Sequence, residues 1–319
     1  MTKPGQVQNV TQTSTSTSNP FGVMISGNTN QVKTETARKL GATYYRPISI
    51  FLDKWTGTCP ECDAAVKNGL KLVLTIRNNG GGPQNPTIPP SDWNAYKAKL
   101  SQVIDKYEPE ILVVENEENS AALFYNGTTQ QYLEELKVGC EVAHQKGIKC
   151  TNGGLVSSLV VFLVSDNYKA NGDATKANEY LNRSLVGAKQ QLISQVNSKK
   201  GQEQITKGKE LLAGYKSAGA DYANFHWYIV DAEALGEAVA YLRAASGLPV
   251  MTNEVGQQAN TDPKQVANVM QKIVNLDLPY AIWFSMDTNP PDGARALNET
   301  SGTLRPNGEA YAEFIKNNF

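Results

Sequence analysis

Histidine is nearly absent from the chain: His144 and His226 are the only two. A histidine-rich metal centre is excluded on that count, since zinc and related ions are held by clusters of imidazole and thiolate donors. No serine has a partnered histidine, and no glycine-rich phosphate cradle precedes a helix. The expectation is an enzyme with neither metal nor cofactor. Long apolar runs are lacking too. The longest, Leu159 to Val164, is far short of the roughly 20 residues a membrane helix needs. Charge of one sign is also missing: 30 basic and 31 acidic residues leave a formal charge of −1. Nucleic acid and anionic membrane, which require concentrated positive charge, are excluded as main partners.

The opening stretch MTKPGQVQNVTQTSTSTSNP has no apolar segment of the kind that makes a signal peptide. Its Ser, Thr, Asn and Gln content predicts a flexible tail over residues 1–19, of the type that follows a removed export signal. Cysteine is scarce: Cys59 and Cys62 form a C-x-x-C pair, and Cys140 and Cys150 stand apart. The second pair lacks the spacing of a zinc knuckle, so structural cysteines, unpaired or in disulfides, are the better account. Two disulfides would fit an exported enzyme, and a secreted monomer is expected.

What is present is a rhythm. Short apolar runs alternate with amphipathic helical stretches, as in repeated βα units around a parallel sheet. Strands are predicted at Phe21–Ser26, Ala42–Pro47, Lys71–Ile76, Ile111–Glu115, Ile148–Gly154, Asp221–His226, Leu248–Asn253 and Pro279–Ser285, with helices between them. Eight such units make one (β/α)8 TIM barrel over residues 20–319. The connection from Gly154 to Asp221 is far longer than a barrel turn. Its Lys-, Asn- and Gln-rich part, about 157–204, predicts a helical insertion after the fifth strand that would wall the cleft.

Catalytic groups of such barrels sit at the C-terminal ends of the strands. Here those ends carry Arg46, Arg77-Asn78-Asn79, Glu115-Asn116-Glu117-Glu118-Asn119, His226-Trp227-Tyr228, Asn253-Glu254 and Trp283. Two carboxylates on different strands among amides, an arginine and aromatics are the minimum equipment for cleaving a glycosidic bond. One protonates the leaving oxygen, and the other attacks or stabilises the oxocarbenium-like centre. A Schiff-base aldolase would need a lysine inside the barrel, and only Lys71 begins a strand, at the wrong end.

The segment VVENEEN (Val113 to Asn119) resembles the fourth-strand motif of clan A glycoside hydrolases, in which Asn-Glu ends the strand. PVMTNEVG (Pro249 to Gly256) is similar to that clan's seventh-strand segment. The β-xylosidase- and cellulase-like members are the nearest in pattern, and Asn152–Gly154 also has a counterpart there. The resemblance implies a retaining β-glycosidase. In it Glu117 is the acid/base, Asn116 bonds the 2-hydroxyl, and Glu254 is the nucleophile, held ionised by Arg46 and positioned by Tyr228. His226 would line the acid/base side and Trp283 would floor the subsite. Retention further implies carboxyl groups about 5–5.5 Å apart. The chain departs from the pattern at Glu118, where proline is usual, and at Glu115, where an aromatic is common. Glu118 is therefore a rival to Glu117, and a barrel that binds glycans without cleaving them is the alternative function.

Overall fold

The computed structural model describes residues 18–80, 85–185, 187–257, 261–286 and 295–319; positions 1–17 of the expected tail lie outside them. The strands are β1 (Phe21–Ile25), β2 (Tyr44–Tyr45), β3 (Ile50–Phe51), β4 (Lys71–Arg77), β5 (Ile111–Val114), β6 (Lys149–Asn152), β7 (Ala223–Trp227), β8 (Val250–Val255) and β9 (Ala281–Ser285). The helices are α1 (Asn30–Lys39), α2 (Pro60–Lys67), α3 (Trp93–Tyr107), α4 (Thr129–Gln145), α5 (Ser157–Ala170), α6 (Ala174–Ser184), α7 (Lys199–Tyr215), α8 (Ala232–Ser246), α9 (Pro263–Asn275) and α10 (Pro306–Asn318). Their starts follow from side-chain caps: Asp92 accepts from the first turn of α3, and Thr128 and Gln131 form a reciprocal capping box on α4.

All strand pairs within the sheet are parallel, in the order β6-β5-β4-β2-β1-β9-β8-β7, a single (β/α)8 TIM barrel. The expected second strand is broken. β2 pairs with the base of β4 and β3 with its top, and Arg46 lies in the interruption between them. The ring closes between β6 and β7 through two isolated bridges, Thr151 with Tyr222 and Leu155 with Phe225. Between those bridges asparagine side chains take the place of a strand ladder. Asn224 Nδ2 donates to the Asn152 carbonyl, Asn152 Nδ2 donates to the Asn224 carbonyl, and the Asn224 amide donates to Asn152 Oδ1, at 2.7–2.9 Å.

Alternation along the strands splits the core in two. Val73, Ile111, Val113, Met251 and Ile282 fill the barrel interior, floored by Tyr44, Tyr222 and Tyr280. These tyrosines pack edge to face, with centroids 5.0 Å apart for Tyr44 and Tyr280 and 5.6 Å for Tyr222 and Tyr280. The outward-facing residues of the strands form a larger core against the helices.

Among the described residues, none of the stretch 157–204 lines the cavity at the C-terminal strand ends. Leu159 to Val164 on α5 are all buried, and α5 packs on α6, α7, α8 and β7. The helix lying against both α4 and α8 is α7. All four cysteines are in disulfides, Cys59 with Cys62 and Cys140 with Cys150. The first lies at the start of α2; the second ties α4 to the strand that follows it. Among the described residues no helix is long and apolar enough to cross a membrane.

The tyrosine floor yields a test away from the site. Tyr280→Ala removes a buried ring and its 3.1 Å hydrogen bond to Glu110, so chemical denaturation should show a loss of about 3–5 kcal/mol. A loss below about 1 kcal/mol would mean that the floor collapses freely around the gap.

Candidate active site

Arg46 is the hub of the cluster at the C-terminal ends of the strands. It is 2% exposed, and each guanidinium nitrogen has a partner from a different strand end. Nε donates to Thr75 Oγ1 at 3.1 Å and Nη2 to Asn116 Oδ1 at 2.8 Å, while Nη1 pairs with Glu254 Oε1. Such a guanidinium is an obligate cation with a rigid donor fork, so it fixes the positions of what it touches. Asn116 is thereby turned with its amide nitrogen free of the arginine.

Glu254, on β8, also accepts from the Tyr228 hydroxyl. Burial would raise its carboxyl, but His226 and Arg46 outweigh burial and hold it below its ordinary value. His226 is fully buried beneath the two carboxylates. Its Nδ1 lies 2.9 Å from Glu117 Oε1 and 3.3 Å from Glu254 Oε2, and its Nε2 lies 3.1 Å from Asn253 Oδ1. Asn253 Oδ1 is fixed as an acceptor because Asn224 Nδ2 also donates to it, at 2.8 Å. Both ring nitrogens thus face acceptors, the arrangement of an imidazolium. Burial works against the charge, yet Glu254 and Glu117 prevail and raise the histidine above its usual value. Gly154 makes room for it: at φ +105° it already excludes most side chains, and a Cβ there would lie 2.4 Å from the imidazole.

The three acidic residues after β5 are sorted by backbone shape. Glu115 and Glu117 both adopt left-handed conformations, φ 65° and 45°, a geometry that costs non-glycine residues about 1–3 kcal/mol each. The alternating turn sends Glu115 behind the strand end, where it is fully buried and accepts from the Thr87 hydroxyl and the Asn78 amide, both at 2.6 Å. Glu118 is likewise fully buried and faces away from the cavity, bonded by Asn152 Nδ2 at 2.7 Å and by the Tyr215 hydroxyl. Burial raises both carboxyls. Of the three, only Glu117 reaches the cavity.

That cavity has a volume of about 440 Å³ and is lined by Arg46, Asn116, Glu117, Tyr228 and Glu254 together with Met24, Ser49, Arg77, Phe124, Gln257, Phe284, Ser285, Arg295 and Ala296. Two expected contacts are displaced. Trp283 does not floor the cavity: it is 1% exposed, and its ring packs edge-on against Tyr311 of α10. Side chains alternate along β9, so it is the next residue, Phe284, that faces the site. His226, expected to line the acid/base side, instead sits beneath the cavity and touches its carboxylates from behind. Thr75, Asn224 and Phe284 were not singled out from sequence. Parity narrows the choice on β9 to Trp283 or Phe284 without fixing it, and the two polar residues carry no distinguishing local pattern.

One ligating atom each from Glu117, His226 and Glu254 lie within 4.8 Å of one another, the only such His/Cys/Asp/Glu group among the described residues. It fits a cation poorly, because the donor atoms already face Arg46, the Tyr228 hydroxyl and each other.

No protein-family model and no curated protein matches the sequence. Solved structures do match. A GH128 (subgroup II) endo-β-1,3-glucanase from Pseudomonas viridiflava aligns with a TM-score of 0.55 at 18% identity, covering 92% of this chain and 96% of that one. GH5_18 from Streptomyces cattleya, in complex with GlcNAc, aligns with a TM-score of 0.61 at 11% identity, covering 93% and 79%. The fold they share with this chain is the (β/α)8 barrel. A variant of a GH128 (subgroup I) endo-β-1,3-glucanase from Amycolatopsis mediterranei, in complex with laminarihexaose, shares it with a TM-score of 0.54 at 13% identity, covering 92% and 98%.

The electrostatics of this site set two pH limits. Glu254 is depressed on folding, so its contribution to stability is present above the unfolded carboxylate value, about 4.3, and is lost as pH falls through the folded value. His226 is raised, so its contribution is complete below about 6.5 and is lost as pH rises through the folded value. Carboxyl-carbon NMR should show Glu254 titrating below 4.5 and moving upward in Arg46→Met, where burial loses its main opponent but one. Titration at or above the ordinary value in the wild type would refute this account of the site.

Proposed function

We propose that the protein is a retaining β-glycoside hydrolase, with Glu254 as nucleophile and Glu117 as acid/base. The observation that carries this reading is the asymmetry of the two carboxylates around one cavity. Glu254 is held ionised by Arg46 and His226 and aimed by Tyr228. Glu117 has one oxygen on His226 and stands 15% exposed at the cavity wall. A pair with opposed environments can divide acid and nucleophile roles. One oxygen of each carboxyl lies within 4.8 Å of the other, which supports the shorter spacing of a retaining pair over the roughly 6.5–9.5 Å of an inverting one.

In the first step Glu254 attacks the anomeric carbon while Glu117 protonates the departing oxygen. Glu117, having given its proton to the leaving group, then takes one from the incoming water that releases the sugar from Glu254. Asn116, turned by Arg46, offers its amide nitrogen to the 2-hydroxyl. Phe284, in place of Trp283, supplies an apolar face for the sugar ring.

The substrate class proposed is a β-linked glucan, with β-1,3-glucan foremost, supported by the glucanases that share the fold. The domain reading is a tail over residues 1–19 and one catalytic barrel over 20–319. All proposed groups come from a single chain, which suits a monomer, and two disulfides suit a secreted protein.

The test is product analysis by mass spectrometry on a panel of β-glucans, with anomeric configuration followed by proton NMR. Glu254→Gln should abolish turnover. Glu117→Gln should lower kcat/KM by about 10²–10⁴-fold and recover on aryl glycosides whose leaving group needs no proton. Glu118→Gln should keep the chemistry. Inverted product, or full activity in Glu117→Gln, would overturn the assignment, and binding without release of any product would establish a glycan-binding barrel instead.

A further inference from the structure

Opposite Glu254 across the ring, at the end of β4, stands a second buried arginine that the proposed chemistry does not use. Arg77 is clamped. Its guanidinium carbon lies 5.1 Å from the centre of the Phe51 ring and 5.6 Å from that of Phe124. Nη2 donates to the Phe124 carbonyl at 2.6 Å, and Nε faces Glu115 Oε2 at 3.5 Å. Glu115 is itself held by Thr87 and by the Asn78 amide. The side chain is 5% exposed, yet it lines the same cavity as Glu117 and Glu254. Among the described residues its third nitrogen, Nη1, has no hydrogen-bond partner, and it is not among the buried polar atoms left unsatisfied. Nη1 is therefore the part of Arg77 open to the cavity.

We infer that Arg77 is a specificity-determining residue, donating one charge-assisted hydrogen bond from Nη1 to a single neutral hydroxyl on the glycone side of the scissile bond. This rests on the glycosidase reading above. A sugar whose anomeric carbon lies between Glu117 and Glu254 turns its far hydroxyls toward the opposite wall, which β4 provides. Nε of Arg77 is spent on Glu115 and one N–H of Nη2 on the Phe124 carbonyl, so Nη1 is the nitrogen with both of its N–H groups available to a ligand. Glu115 also neutralises the guanidinium, so the wall has no net charge to draw in a uronate. The two phenylalanine rings and the fixed carboxylate hold the donor in place before substrate arrives, which lowers the entropic cost of the contact.

The experiment is a double-mutant cycle between protein and substrate. Oligosaccharides of the glucan that the wild type accepts, each deoxygenated at the 3-, 4- or 6-position of the glycone, are assayed for KM and kcat and, with Glu254→Gln as background, for binding by calorimetry. The proteins are the wild type and Arg77→Met/Glu115→Gln, in which the second change avoids stranding a buried carboxylate. The wild type should lose roughly 10-fold or more in KM for one deoxy sugar, the size of a hydrogen bond to a charged group. The double variant should bind the parent more weakly by the same factor and no longer distinguish that deoxy sugar from it. A purely structural role predicts instead that the double variant discriminates among the deoxy sugars as the wild type does, which would overturn the inference while leaving the glycosidase reading intact. A preference for uronate-bearing glycans would also overturn it. If neither protein binds or cleaves any glycan, both fall together.

Discussion

The cluster depends on one buried cation. Arg46 draws together the ends of β2, β4, β5 and β8, and without it Thr75, Asn116 and Glu254 would have no common centre. Taking a guanidinium out of water is costly unless its donors are met, and here each nitrogen meets an acceptor. Removing either member of such a pair is far more damaging than the pair is stabilising. The arrangement therefore serves to specify geometry more than to add stability. Its position has a simple backbone origin: the second strand is interrupted by an extended residue before Pro47, and that residue is Arg46.

A second constraint is the local backbone after β5. Consecutive acidic residues repel one another, and a regular strand would place Glu115 and Glu117 on one face. Two left-handed residues instead send Glu115, Glu117 and Glu118 to three separate surroundings. One carboxylate faces Arg77, one faces the cavity and one faces Asn152 and Tyr215. Segregation of like charges, with different partners for each, is what leaves a single carboxyl free to meet a ligand.

Much of this was legible in the sequence. The eight apolar runs, the caps at Asp92 and Thr128 and the strand-end list place the barrel and bring Arg46, Asn116, Glu117, Tyr228 and Glu254 to one cavity, because βα periodicity and chain polarity decide which ends converge. Three features were not legible. Parity on β9 separates Trp283 from Phe284, and parity is read correctly only once the register of the strand is fixed, which two adjacent aromatics do not do by themselves. The depth of His226 depends on Gly154 and Asn253, from strands remote in sequence. The segment from Ser157 to Gln204 reads as polar overall, which conceals that α5 is buried; composition averages over helices that differ completely in surroundings.

The asparagine closure of the ring reaches further than architecture. The amides that join β6 to β7 are the first links of a chain running from the Asn152 carbonyl through Asn224 and Asn253 to the imidazole of His226. The seam that closes through isolated bridges is thus fastened by the same amides that back the imidazole. A motion that parts β6 from β7 would break the three Asn152–Asn224 bonds, while Asn224 keeps Asn253 and Asn253 keeps the imidazole. The seam and the acid pair thus share one amide, Asn224, which holds the barrel shut with one side and backs the imidazole's acceptor with the other.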